Sequence, residues 1–287
     1  MKTTFQELEA YGLSGRLWRQ FPAVPPVGRG GFSRSQGGNP AIGFADDFLE
    51  FQASTLEGPY LILEGTGCTC EQIASTGNTA TTAMGMVKLA LDGNAANDEV
   101  VLQWGRGLDA PFKLADRDLC FECRLAVSAI TAAKWSIGVG LGEVGMGATD
   151  CLFVDTTGAL ADKNFCGFVH LKAEGAAVDG AYKADGQTYQ DGAVNTDLNA
   201  LHTLVADTFV KLGIRYQAHP KKLEWYVNGR MVSERTSTES SIGQTALDAA
   251  TFPDDVFVTP IIGAKDIAGD TALSVYLDWW ACAQLLA

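Results

Sequence analysis

Three histidines, His170, His202 and His219, are all that this 287-residue chain contains, and no G-x-S-x-G run accompanies them. A histidine-assisted nucleophile therefore has no support in the sequence. His170 reads as a structural strand residue, and His219, ahead of Pro220, as part of a turn. Acid pairs are lacking too on any convincing strand. Glycoside hydrolysis needs two carboxylates across a cleft, which on one strand take E-x-D or E-x-E spacing. Glu122, Glu224 and Asp278 stand singly, each suited to a solvent face or a turn. No catalytic residue is assigned.

No apolar run is long enough for a bilayer span, no charged-then-apolar leader opens the chain, and no unit of about 20 to 50 residues recurs. A soluble protein without membrane partner, propeller or solenoid is expected. Runs of Lys and Arg are missing as well, and the net charge of -13 repels phosphate backbones, so no nucleic acid partner is expected. Seven cysteines, an odd number scattered through apparent strands, fit free thiols in a reducing compartment better than a disulfide framework.

What the chain does have is alternation. Val210, Leu212, Ile214 and Tyr216 alternate with Lys211, Gly213, Arg215 and Gln217; Leu223, Trp225 and Val227 then alternate with Glu224 and Tyr226. Each is a strand with one buried face. Asn228-Gly229 supplies the tight hairpin turn between the second strand and a third, returning through Arg230, Met231 and Val232. Asp118 to Val127 alternates most cleanly, with Leu119, Phe121, Cys123, Leu125 and Val127 inward and Cys120, Glu122 and Arg124 outward.

Further strands are predicted at 48–52, 59–64, 86–91, 99–104, 134–141, 151–154, 165–171, 256–262 and 273–285. In the last, Leu273, Val275, Leu277, Trp279, Ala281 and Ala283 share one face, and Tyr276, Asp278, Trp280 and Cys282 the other. Gly65 to Thr82 reads as a loop, and Ala173 to Asn199 as short hairpins or a surface excursion. About a dozen strands with almost no amphipathic helix predict an all-β fold, a two-sheet antiparallel β-sandwich.

Ahead of it, residues 1–44 read as an extended N-terminal arm and 45–287 as the sandwich. A capping-box pattern at Thr4 to Glu7 predicts one short helix to about Tyr11; from Leu13 to Phe44 the chain is dense in Gly and Pro without period. The arm carries Lys2, Arg16, Arg19, Arg29 and Arg34 against Glu7 and Glu9, a net +3 that leaves -16 for the rest. Aromatic anchors and forked guanidiniums suit docking, so Arg16, Trp18, Arg19, Phe21, Arg29, Phe32 and Arg34 are candidate partner-binding residues. Equally, the arm wraps its own acidic body, and a swapped arm between subunits satisfies both readings.

Two motifs invite a cofactor. Cys120-x-x-Cys123 with Cys68-x-Cys70 has the outline of a split four-thiolate zinc site, but residues three apart on a strand point to opposite faces. Gly140-Leu-Gly142-Glu-Val-Gly145 matches a dinucleotide fingerprint, yet no helix follows to receive a pyrophosphate. No metal and no cofactor is assigned. Tyr226, Tyr276 and Trp280 are candidates for a glycan platform, with packing against a second layer as the alternative.

The run Leu223-Glu-Trp-Tyr-Val-Asn-Gly-Arg-Met-Val, the Val210 to Tyr216 strand before it, the Asp46-Asp47-Phe48 start and the Leu273 to Gln284 strand resemble concanavalin A-like (laminin G-like) jelly rolls over residues 45–287. The E-x-D-x-x-E motif of that fold's glucanases is missing. With its Gly/Pro-rich arm the layout is similar to accessory head proteins of tailed bacteriophages. That resemblance implies a non-enzymatic decoration or cement protein, made in the host cytoplasm and placed on the capsid surface of the virion. Its implied partners are the major capsid protein and neighbouring copies of itself, in a homo-oligomer. The alternative it leaves is a lectin-like module for host-surface glycans.

Overall fold

The computed structural model describes residues 14, 17–18, 41–46, 48, 60–73, 85–105, 112–115, 117–130, 134–148, 152–155, 157–172, 175–236, 247, 250–269 and 272–285. In chain order the strands are β1 (Ala41–Asp46), β2 (Tyr60–Glu64), β3 (Thr69–Gln72), β4 (Val87–Leu91), β5 (Glu99–Trp104), β6 (Phe112–Lys113), β7 (Leu119–Val127) and β8 (Trp135–Glu143). They continue as β9 (Phe165–His170), β10 (Ala177–Lys183), β11 (His202–Thr203), β12 (Val210–Gln217), β13 (Lys222–Val227), β14 (Arg230–Thr236), β15 (Phe257–Asp266) and β16 (Leu273–Leu285). Among the described residues, helical structure is confined to one 3-10 turn at Met146–Ala148.

The strands form two antiparallel sheets. Sheet one runs β14-β13-β12-β7-β16-β4-β3, with β1 beside the second half of β16; sheet two runs β11-β10-β9-β8-β15-β5-β2, with β6 beside β15. Between them lies the main core, built from the residues whose alternation marked them as inward. Leu119, Phe121, Cys123, Leu125 and Val127 of β7 face Trp135, Ile137, Val139 and Leu141 of β8 across it, and Val210, Leu212, Ile214, Tyr216, Leu223, Trp225 and Val227 extend it. Removing each such side chain from water contributes about 1.5–3 kcal/mol, so the periodic pattern is itself the driving force for the sandwich. The β13–β14 turn is as the sequence required: Asn228 and Gly229 both adopt positive φ, 48° and 76°.

Five expectations need correction, one of them the strand predicted at 151–154, of which the described residues keep only a bridge from Phe153 to Leu160. The body begins inside the predicted arm, because Ala41 to Asp46 pairs residue for residue with Leu285 to Trp280 of β16. The faces of β16 exchange half-way along. Leu277 pairs with Leu125 and Trp279 with Arg124, so Asp278 is an extra, bulged residue; before it Leu273, Val275 and Leu277 point into the main core, and after it Trp280 and Cys282 do. A bulge inserts one residue and so inverts the parity of everything beyond it. Of the two readings of Ala173 to Asn199 the hairpins hold, with β10 paired antiparallel to β9 and β11, but the surface excursion does not, since Val178 and Tyr182 enter the core. The predicted loop at Gly65 to Thr82 likewise contains β3. The predicted N-terminal helix and the strand beyond Phe48 lie outside the described residues.

Each sheet also carries a buried apolar cluster on its outer face. On sheet two, Met146, Leu152, Phe153 and Leu160 pack over Val101, Phe165, Val169 and Ile261. Glycines make the room: a Cβ on Gly263 would lie 2.7 Å from Leu152, and one on Gly138 3.1 Å from Phe153. The glycine run of β8 thus serves a packed layer, and Gly140 and Gly142 are strand residues paired with β9 and β15.

Candidate functional site

The outer face of sheet one carries polar residues in two cross-strand rows. Register places Glu122 of β7 between Ala281 and Gly213, with Tyr226 and then Met231 beyond. One step along, Cys120 is followed by Arg215, Glu224 and Glu234. The alternation that sent Leu119 and Phe121 inward necessarily sends Cys120 and Glu122 outward. They are nevertheless fully buried.

What buries them is the start of the chain. Leu17 and Trp18, both wholly buried, pack with Ala45, Cys120, Tyr226, Ala281 and Ala283 in a separate apolar cluster on this face. The Glu122 Oε2 accepts from the Ser14 backbone N–H at 2.8 Å and from the Trp18 indole N–H at 2.9 Å. The Trp18 backbone N–H donates to the Ser14 carbonyl at 3.1 Å, and the Cys120 thiol donates to the Leu17 carbonyl at 3.4 Å. Gly213 leaves a slot, since a Cβ there would stand 2.4 Å from Leu17 Cδ1. Ser14 sits over the hairpin turn, 3.3 Å from where a Gly229 Cβ would be.

Burial pushes the Glu122 carboxyl above its ordinary value, and the bonds from Ser14 and Trp18 pull back against it. Its Oε1 has no partner among the described residues. Glu224 is more fully engaged. It accepts from the Tyr226 hydroxyl at 2.8 Å, pairs with Lys222 at 2.9 Å and lies 3.6 Å from Arg215 Nη1. Burial and the adjoining Glu224 hold the Tyr226 phenol well above the usual range. A hydrolytic pair needs two acids facing a cleft open to substrate and water; here both carboxylates are engaged with the protein, one beneath an indole.

Of the candidate partner-binding residues, Arg16, Arg19, Phe21, Arg29, Phe32 and Arg34 lie outside the described residues. Trp18 is buried on the chain's own sheet. The glycan platform is not a surface either: Tyr226 is 2% exposed, Tyr276 6% and Trp280 0%. Trp280 faces the core with its ring 5.9 Å from Phe48 and 6.0 Å from Tyr60, whereas Tyr276, on the near side of the bulge, is on the other face. Sequence reasoning missed Ser14 and Leu17, and no periodicity could have flagged them.

Cys120 and Cys123 lie on opposite faces of β7, in different clusters. Among the described residues, the side chains close enough to share a metal ion are Cys68, Asp92 and Asp98, with ligand atoms within 4.8 Å of one another. Burial pushes the Cys68 thiol up to about 11, and burial beside Asp92 and Asp266 raises Asp98. Both Asp92 oxygens already accept from Asn94. His170 is a core residue, its ring centroid 4.2 Å from Trp135 and its Nδ1 2.8 Å from the Ala177 carbonyl, and burial lowers its pKa.

No family model matches the sequence, and a search of curated proteins finds no match. Solved structures do share its shape. A protein of unknown function from Shewanella oneidensis MR-1 superposes with a TM-score of 0.51 at 14% identity, over 88% of this chain and 90% of that one. The endo-1,3-beta-glucanase of Streptomyces sioyaensis gives 0.50 at 12% identity, over 92% and 100%. Peanut lectin gives 0.47 at 14%, over 86% and 98%. The fold is therefore a concanavalin A-like jelly-roll sandwich, as in the glucanase. At such identities the likeness concerns the fold alone.

Proposed function

We propose that this protein is a non-enzymatic structural component of a virus particle, a decoration or cement protein that docks on a capsid through residues 19–40. One observation carries the reading: this segment is moored on sheet one at both ends, by Trp18 over Glu122 and by β1 against β16. It contains Arg19, Arg29 and Arg34, Phe21 and Phe32, and no acidic residue. Fixing both ends of a chain lowers the entropy lost when it is ordered on a partner. A basic, aromatic-bearing loop on an acidic body suits a clamp between neighbouring capsid subunits.

A lectin-like role would need a platform other than Tyr226, Tyr276 and Trp280. The test is cosedimentation with capsid particles that lack the protein. The native chain should saturate them at a fixed stoichiometry, and an Arg19→Glu, Arg29→Glu, Arg34→Glu chain should bind at least tenfold more weakly. Equal binding by the two chains would defeat the proposal.

A further inference from the structure

We infer that the cleft holding Ser14, Leu17 and Trp18 also takes that same segment from a second copy of the chain, so that subunits are linked by exchanged N-termini. The seat is built wholly from distant sequence: Cys120 and Glu122 of β7, Gly213 of β12, Tyr226 of β13 and Gly229 of the turn. Nothing in these contacts requires the segment to belong to the chain it sits on. Only the connector, residues 19–40, decides that.

The connector is permissive. Its 22 residues include Pro22, Pro25, Pro26 and Pro40 and five glycines, with no apolar period that would give it a core. Extended, they reach about 75 Å, whereas a body of this size is about 45 Å across. The equivalent cleft on a touching neighbour is therefore within range. Charge favours the crossing, because the connector bears three arginines and no acid, whereas everything after Phe44 carries -16.

Since the same contacts form in either arrangement, concentration sets the balance. A tethered segment has an effective concentration on the order of 1 mM. Dilute chains close on themselves, and chains crowded to that level exchange. This inference does not depend on the particle reading, since it is measured in solution on the protein alone.

The geometry supplies its own test. A Cβ on Gly229 would stand 3.3 Å from the Ser14 Cβ, next to the roughly 3.5–4.5 Å that a disulfide spans. The described native cysteines are all buried. Full-length Ser14→Cys and Gly229→Cys chains are mixed at about 1 mM and oxidised, beside a double variant carrying both changes in one chain. Exchange gives a covalent dimer in the mixture, mapped to residues 14 and 229 by peptide mass spectrometry, with a yield that falls on dilution.

A mixture that stays monomeric while the double variant closes within its own chain would overturn the inference. So would a folded double variant that forms no such bond. If Gly229→Cys does not fold, a labelled peptide of residues 10–22 is titrated against the full-length Trp18→Ala chain. Saturable binding, abolished by adding Gly213→Val, supports exchange, and no binding at about 1 mM overturns it.

Discussion

The indole N–H of Trp18 donates to the Glu122 carboxylate across 104 residues of sequence. A residue in the least regular part of the chain is thereby held by one in the most regular strand.

Trp18→Ala should cost about 3–5 kcal/mol of stability, the usual range for emptying a buried tryptophan site. Trp18→Phe keeps most of the packing and removes one hydrogen bond to a buried carboxyl, so about 1–3 kcal/mol is expected. Urea midpoints measure both. An unchanged midpoint for Trp18→Ala would mean that the N-terminal segment is not part of the folded body.

Stability should fall as pH rises through the mildly acidic range. Glu122, Asp98, Asp179 and Asp191 all have carboxyls raised by burial. A carboxyl whose folded pKa lies above its unfolded value binds more protons in the folded state, so its contribution is full below the unfolded value, about 4, and is lost as pH climbs through the folded one. Asp92 and the exposed Asp162, both lowered by hydrogen bonds, act in the opposite sense below that point. Glu122→Gln should flatten the decline. Denaturant midpoints between pH 4 and 8 that decline equally in this variant and the native chain would contradict the assignment.

Deleting Asp278 should leave the chain able to fold, as should Asp278→Ala. The deletion removes the bulge and leaves Leu277 and Trp279 on the adjacent partners Leu125 and Arg124, so that Trp280 and Cys282 keep their places in the core. The substitution only breaks the partly exposed pair with Arg124, an interaction of about 0–1 kcal/mol. Soluble yield and circular dichroism check both, and a deletion variant that does not fold would refute the assignment of Asp278 as the extra residue.

Lys265→Met should cost about 3–5 kcal/mol, because it strips the cation from buried Glu99. The double variant Lys265→Met, Glu99→Leu should recover much of that loss. A thermal melt for each of the three chains checks the pattern, and equal melting of the single and double variants would refute it.

Cys120 and Cys123 separate just as alternation along β7 requires, and Asn228-Gly229 turns as its residue types dictate. The β10 strand was also present as a pattern, in Val178, Gly180 and Tyr182. Its flanking glycines and alanines hid it, since small residues mark loops and packed strands alike.

Strand identity, turn position and the inward face are local matters, set by period and by backbone preference, and the amino-acid order alone determined them here. Which face of β16 is inward beyond Asp278 was a tertiary decision, because one extra residue is invisible until the partner strand is in register beside it. So was the mooring of Ser14 and Trp18. A carboxylate accepting from both across the fold depends on no periodicity, only on β7, β12 and β13 first assembling a cleft with a glycine slot.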